Sequence, residues 1–165
     1  MTLSYDHNQS LGYLTGLASR LFNNLIASRF RAAGIDLTAE QWGVVMLLSK
    51  GEAVNQTQLA ELLFLEKSSI SRLVDGLEKR GWVERQPDAD DSRRKRVVPT
   101  AKALANAQQC SQIANTVLNE VQQDIDGAEL QQYRHLYQRP LRIDTPDICH
   151  QQLYGLAGPK CPPID

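Results

Sequence analysis

Residues 55–100 read NQTQLAELLFLEKSSISRLVDGLEKRGWVERQPDADDSRRKRVVPT, a segment in which several local structural patterns follow one another. Its first apolar residues, Leu59, Leu62 and Leu63, recur at helical spacing, and a second helical pattern follows after a turn of about three residues. The apolar residues of that second helix are Ile70, Leu73, Val74 and Leu77. After Gly81, two runs typical of strands, 82–85 and 94–98, flank the turn-rich segment PDADDS. The order of these patterns predicts a helix-turn-helix followed by a β-hairpin wing.

Polar and basic residues of this stretch indicate what the wing and the second helix bind. Small hydroxyls let a helix approach a DNA groove closely, and an arginine can take two acceptors on a guanine edge or a phosphate. Leucines at this spacing are core residues in most helices and a charge run is usually a solvated face, but their conjunction favours DNA binding. We expect Asp91 to hold the wing tip in place. The predicted DNA contacts are Asn55, Thr57, Lys67, Ser68, Ser69, Ser71, Arg72, Arg93, Arg94 and Lys95.

The composition of the whole chain indicates how many domains it forms and where its charge lies. Its 165 residues are 42% hydrophobic and 22% charged, which suits one domain with a real core. The formal net charge is −1, but residues 67–96 hold nine Lys or Arg against six acidic residues, which gives +3 there and −4 elsewhere. A locally basic face on a near-neutral body suits a regulator that must leave DNA as well as bind it.

Long apolar stripes flank the predicted DNA-binding lobe. They predict a helix over 10–33 that ends at Gly34, a helix of about 25 residues from Thr100, and a short helix over 129–139. Thr38 with Gln41, and Asn55 with Gln58, predict capping boxes for two further helices. The chain is thus expected to be mainly α, a single domain over 1–144 with a lobe at about 38–100, dimerisation helices at about 10–33 and 100–139, and an irregular tail over 145–165. An intramolecular bundle is the alternative use of the long helices.

Other functional classes find little support in the residues. No run approaches the roughly 18 apolar residues of a membrane span, and the first ten residues lack the features of a secretion signal, so we expect a cytoplasmic protein with no membrane partner. A P-loop, a dinucleotide fingerprint, a nucleophile elbow and an HExxH motif are all missing, so no enzyme and no cofactor are predicted. The three histidines are scattered, and Cys149, His150 and Cys161 lack the spacing of a zinc site, so no metal is predicted.

Several segments together resemble the MarR family of bacterial transcriptional regulators. They are LTAEQWGVVMLL at 37–48, QLAELL at 58–63, SSISRLVDGLEKRGWVER at 68–85, and DSR at 91–93 leading to VVPT at 97–100. The resemblance implies a homodimer that binds a near-palindromic double-stranded DNA operator, commonly as a repressor released by small aromatic or anionic effectors or by oxidants. It implies that the helix over 67–80 enters the major groove and that Arg93 reaches a minor groove. Phe64, Glu66 and Pro99 depart from the glycine, the small N-cap residue and the leucine usual in the family.

The response to a signal is the least determined property. The family's effector cleft lies between the dimer helices and the DNA-binding lobe, and Tyr13, Arg20 and Trp42 are the candidate contacts, with a packed tryptophan and a surface arginine as the alternative interpretation. A redox-responsive regulator acting through Cys149 or Cys161 is a second hypothesis, and a winged-helix interaction module without an effector is a third. Cys110 falls on the apolar stripe of the fifth helix and is expected to be packed and inert.

Overall fold

The computed structural model describes residues 6–50, 53–88 and 95–138. Within these residues lie a short 3-10 helix (His7–Gln9), six α-helices and three strands. In chain order the elements are α1 (Leu11–Ala32), α2 (Ala39–Leu48), β1 (Val54–Asn55), α3 (Gln56–Leu63), α4 (Lys67–Lys79), β2 (Val83–Pro87), β3 (Lys95–Pro99), α5 (Ala101–Gln122) and α6 (Gly127–Gln138). The architecture is the predicted one, mainly helical with a small antiparallel sheet.

Side-chain caps set where the helices begin. Thr38 Oγ1 accepts from the Gln41 N–H at 3.2 Å while Gln41 Oε1 accepts from the Thr38 N–H at 3.1 Å, and Asn55 and Gln58 form the same reciprocal pair. Both predicted capping boxes are therefore confirmed, since each satisfies two N–H groups that the helix leaves without partners. The end of α1 also agrees with its prediction, because Gly34 just beyond it has the positive φ of 74°.

The sheet has the strand order β1-β3-β2, with both pairs antiparallel. The predicted strands over 82–85 and 94–98 were too short at their proline ends: the hairpin pairs Val83 with Pro99 and continues to Pro87 opposite Lys95. The two-residue strand β1, in which Val54 pairs with Val97, was not predicted. It is too short to show the alternation by which strands are recognised in a sequence.

One hydrophobic core joins the lobe to the long helices. Its largest fully buried side chains include Phe30 of α1, Leu48 of α2, Leu59 of α3, Ile70 and Leu77 of α4, and Trp82 before β2. Trp42 is buried edge-on against Phe30, with ring centres 6.1 Å apart. On α5, Cys110 and Val117 are fully buried, and Glu120 of the same helix forms a two-oxygen ion pair with Arg29 of α1.

A group of hydrogen bonds connects the end of α4 to the start of α5 and to the segment between α1 and α2. Trp82 Nε1 donates to Asp36 Oδ1 at 2.7 Å, and Arg80 Nη1 donates to the Asp36 carbonyl oxygen at 2.6 Å. Lys102 Nζ lies 4.6 Å from the centre of the Trp82 ring and donates to the Arg80 carbonyl oxygen at 2.9 Å. The N-cap hydroxyl of Thr100 also donates to the Gly81 carbonyl oxygen at 2.7 Å. The orientation of α4 relative to the long helices is thereby set by hydrogen bonds as well as by packing.

Candidate DNA-binding surface

The turn between α3 and α4 consists of residues 64–66. Phe64 adopts the left-handed conformation, with φ 52° and ψ 43°. The Leu65 N–H then reaches back to the Ala60 carbonyl oxygen at 3.0 Å, the long-range bond of a Schellman motif. Glu66 occupies the N-cap position of α4 and makes no side-chain capping bond. The turn therefore keeps the backbone that glycine would favour, with a phenylalanine in its place.

The two faces of α4 have opposite character. Ile70, Val74 and Leu77 are fully buried. On the opposite side, Ser68, Arg72, Asp75 and Lys79 are exposed at helical spacing, and these four residues are the exposed stripe of α4. Lys67 is exposed at the start of the helix, and Ser69 and Ser71 are half-buried along the flanks of the stripe. The helix can thus present small hydroxyls and an arginine to a groove while its other face anchors it in the core.

A second part of the surface lies where α3 begins beside the wing. A groove of about 520 Å³ is lined by Asn55, Gln56, Thr57, Gln58, Glu61 and Lys95. Three of the predicted DNA contacts, Asn55, Thr57 and Lys95, therefore come together there. Asn55 uses its side-chain oxygen as the cap of α3, accepting from the Gln58 N–H at 2.9 Å, whereas Thr57 and Lys95 are exposed.

The wing is described up to its base. Lys95 is exposed at the start of β3, whereas Arg96 is half-buried and its Nε lies 3.1 Å from Asp88 Oδ2, which ties the two strands together. Adjacent cations of the run therefore have different surroundings, as expected for neighbours on a strand. The other predicted wing residues, Asp91, Arg93 and Arg94, lie outside the described residues, as do Cys149 and Cys161.

Arg85 on β2 makes contacts that the sequence did not indicate. Its side chain is only 15% exposed, with Nη2 2.6 Å from Asp75 Oδ1 and Nη1 hydrogen-bonded to Glu78 Oε2. The Arg85 backbone N–H also donates to Glu78 Oε1 at 3.0 Å. Burial by itself lowers the pKa of the Arg85 guanidinium, but the bonds to Asp75 and Glu78 outweigh it and raise that pKa. Gln56 is also close, since its amide, turned with the oxygen toward Arg85, places that oxygen 3.0 Å from Arg85 Nε. We refer to Arg85, Asp75, Glu78 and Gln56 as the Arg85 cluster.

The candidate effector residues do not share one surface. Tyr13 and Arg20 are exposed on α1, whereas Trp42 is buried in the core. A groove of about 460 Å³ between α1 and α5 is lined by other residues, among them Arg29, Ile113 and Glu120.

Cys110 is packed as predicted. Burial raises the pKa of its thiol, which disfavours the reactive thiolate. Among the described residues no His, Cys, Asp or Glu side chains form a group of three that could hold a metal ion. None of the helices in those residues combines the length and apolar character needed to span a membrane.

The chain is similar in sequence and in fold to known transcriptional regulators. Residues 35–94 match the sequence model of the MarR family. The multiple antibiotic resistance protein MarR of Escherichia coli strain K12 is 27% identical over 108 residues, which cover 65% of this chain and 75% of that protein. A probable transcriptional regulator from Pseudomonas aeruginosa superposes with a TM-score of 0.74 at 25% identity, covering 81% of this chain and 98% of the other. CouR from Rhodococcus jostii RHA1, solved with p-coumaroyl-CoA, shares the fold with a TM-score of 0.69 at 22% identity, covering 86% and 100% of the two chains.

Proposed function

The chain belongs to the MarR family of transcriptional regulators, and we propose that it acts as a homodimeric repressor that binds a near-palindromic DNA operator and releases it on binding a small effector. In this proposal residues 1–144 form one regulator domain that works in the cytoplasm, with a DNA-binding lobe at about 38–100 and dimerisation helices at about 10–33 and 100–139. The domain has no catalytic activity of its own and needs no cofactor or metal.

The observation that carries the DNA-binding proposal is the exposed stripe of α4. Ser68 and Arg72 stand on a helix whose opposite face is fully buried, so the helix is rigidly held with its polar side outward. The protein groove at the start of α3, lined by Thr57 and Lys95 among others, adds polar and basic groups. These groups suit the DNA phosphates on either side of the major groove that α4 is proposed to enter. We propose Arg93 as a further contact because of the family resemblance, and Arg94 because it belongs to the basic run of the wing.

Selection of bound fragments from the source genome tests this proposal. The purified chain should enrich a small set of fragments that share a near-palindrome, with half-sites about one helical turn apart, roughly 34 Å. Competition with random duplex DNA should then show tighter binding of the selected fragment by a factor of about a thousand or more. Enrichment of no fragment over input DNA would contradict sequence-specific binding.

Exposed apolar residues on the long helices support a dimer. Leu11 and Leu21 on α1 are each 61% exposed, and Leu136 on α6 is 58% exposed. Large apolar side chains exposed along several helices mark a surface that is covered in the functional state. A second copy of the chain packing helix against helix covers it, and it also places two recognition helices on one DNA face.

The effector proposal rests on a ligand bound by a protein of the same fold and on two exposed residues of α1, Tyr13 and Arg20. CouR binds p-coumaroyl-CoA, an aromatic and anionic ligand. We propose a ligand of that chemical class for this chain, with Tyr13 and Arg20 as contacts from α1. Trp42 is buried against Phe30 in the core, which favours the alternative interpretation of a packed tryptophan for this residue. Salicylate and p-coumaroyl-CoA are suitable first probes, and an effector should lower the affinity for the selected fragment.

A further inference from the structure

Two carboxylates lie in or beside the proposed DNA-binding surface. Asp75 belongs to the exposed stripe of α4, between Arg72 and Lys79, and its side chain is 51% exposed. Glu78 follows one helical turn later and is 38% exposed. Unpaired carboxylates at these positions would repel phosphates, since like charges facing each other across an interface weaken binding. A protein that binds DNA with this face therefore needs to neutralise them.

Arg85 contacts both carboxylates with one guanidinium group. Nη2 donates to Asp75 and Nη1 to Glu78. When the Gln56 amide is oriented with its oxygen toward the Arg85 guanidinium, Gln56 Oε1 accepts from Arg85 Nε at 3.0 Å and from Nη2 at 3.1 Å. The flat, forked guanidinium suits this task because its donors point in fixed directions, which a lysine ammonium cannot reproduce. The group thus joins α3, α4 and β2 at one point.

We propose that Arg85 is a positioning residue for DNA binding: it neutralises Asp75 and Glu78 on the recognition surface without itself contacting the DNA. This inference rests on the proposed DNA-binding function. The geometry supports it because each nitrogen of the guanidinium already donates within the protein, to Gln56, Asp75 or Glu78. A cation that looks available for phosphate in the sequence is thereby committed inside the protein.

A double-mutant cycle tests the inference. The four proteins are the wild type, Arg85→Met, Asp75→Asn with Glu78→Gln, and the triple variant, and their dissociation constants are measured on the selected fragment and on a random duplex. The amide substitutions keep the shape of both side chains and remove their charges. We expect Arg85→Met to weaken binding about tenfold in the wild-type background, where it leaves two unpaired carboxylates, and by less than about twofold in the amide background.

Lys67→Met is the matched control. Lys67 is an exposed cation at the start of α4, at the opposite end of that helix from Glu78. Its removal should weaken binding equally in both backgrounds. Salt dependence gives a second measure, because loss of one phosphate contact per subunit would lower the slope of log affinity against log salt by about 1.8 for a dimer. In the amide background, Arg85→Met should leave that slope unchanged.

Folding is monitored by circular dichroism and thermal unfolding of each variant. If Arg85→Met unfolds, Arg85→Gln, which also removes the charge but keeps a polar side chain, takes its place in the cycle and must show the same dependence on background. Equal losses in the two backgrounds, with a lower salt slope, would overturn the inference and make Arg85 a direct phosphate contact. A wild-type chain that binds no duplex at all would instead overturn the proposed function, and the inference with it, so the two failures are distinguishable.

Discussion

Phe64 holds a backbone conformation that costs an L-residue on the order of 1 kcal/mol, because its Cβ approaches the following carbonyl oxygen. Phe64→Gly and Phe64→Ala both remove the partly exposed ring, but only glycine relieves the strain. We therefore expect the glycine variant to exceed the alanine variant by about 1 kcal/mol in the free energy of unfolding, measured by urea denaturation. Equal stabilities would indicate that the turn adopts another backbone.

Asp36 contributes a pH dependence to stability. Burial raises the pKa of its carboxyl, but the Trp82 hydrogen bond and the nearby Lys102 and Arg80 outweigh burial and lower that pKa below the ordinary value of 3.8. A carboxyl with a lowered folded-state pKa stabilises the fold above its unfolded pKa, and this stabilisation is lost as the pH falls through the folded value.

Asp36→Asn should accordingly be less stable than the wild type at pH 7, and the difference should shrink below about pH 4. Unfolding measured by tryptophan fluorescence follows the change, since Trp82 itself donates to Asp36. A difference that stays constant from pH 7 to pH 3 would mean that the carboxylate charge does not contribute.

Among the elements, α4 carries the prediction that separates base reading from phosphate attraction. Arg72→Ala should reduce the preference for the selected fragment over random DNA by about 1–3 kcal/mol if the guanidinium takes two acceptors on a guanine. Arg72→Lys is the matched variant, since it keeps the charge and loses the fork. If Arg72 contacts a base, both variants lose the preference for the selected fragment. If Arg72 contacts a phosphate, Arg72→Lys retains most of the affinity and only Arg72→Ala loses it.

The wing gives an electrostatic prediction. We expect Arg93→Ala to weaken binding to specific and random DNA alike and to lower the salt slope by about 1.8 for a dimer. Should the guanidinium enter a narrow minor groove, fragments with A·T-rich flanks will lose more affinity than others. Arg96 is the comparison, because its pairing with Asp88 predicts a smaller change in slope for Arg96→Ala. An unchanged slope and affinity for Arg93→Ala would remove the wing from the binding surface.

Helices were the elements most predictable from sequence, because their caps are local. Thr38 and Asn55 each find a glutamine three residues on, and the hydroxyl of Thr100 caps α5 by accepting from the Ala103 N–H. Strands were less predictable, since prolines at positions 87 and 99 look like breakers and β1 is only two residues long. A proline pairs in a sheet where its missing N–H is not needed, and only the register shows where that is.

The Arg85 cluster shows why part of the site escaped prediction. In sequence, Arg85 counts toward the basic balance of residues 67–96, and Asp75 and Glu78 are ordinary charges on a helix. The helix-to-strand reversal at Gly81 brings the three together, which depends on tertiary packing rather than on spacing. Serines and Arg72 on the α4 surface were predictable because helical periodicity alone separates them from the buried face.

At the scale of the whole molecule, the exposed apolar residues predict the oligomeric state. Wild-type chains should sediment at twice the monomer mass of 18.5 kDa at micromolar concentration. Leu21→Glu should shift the protein toward monomer and weaken DNA binding, since a charge in an apolar contact costs several kcal/mol. Met46→Glu, a charge introduced at an exposed apolar residue of α2, should leave the mass unchanged. A wild-type monomer would contradict the dimer.

The edges of the small sheet have a further consequence for how copies of the chain meet. An open strand edge is a template for another extended chain, and it is a common start of aggregation. Here one edge, β1, is two residues long, and the other, β2, carries Glu84 and Arg85 and ends in Pro87. Neither offers a long, uncharged ladder for strand addition. Pairing of copies along either described edge of this sheet is therefore disfavoured when the chain is abundant.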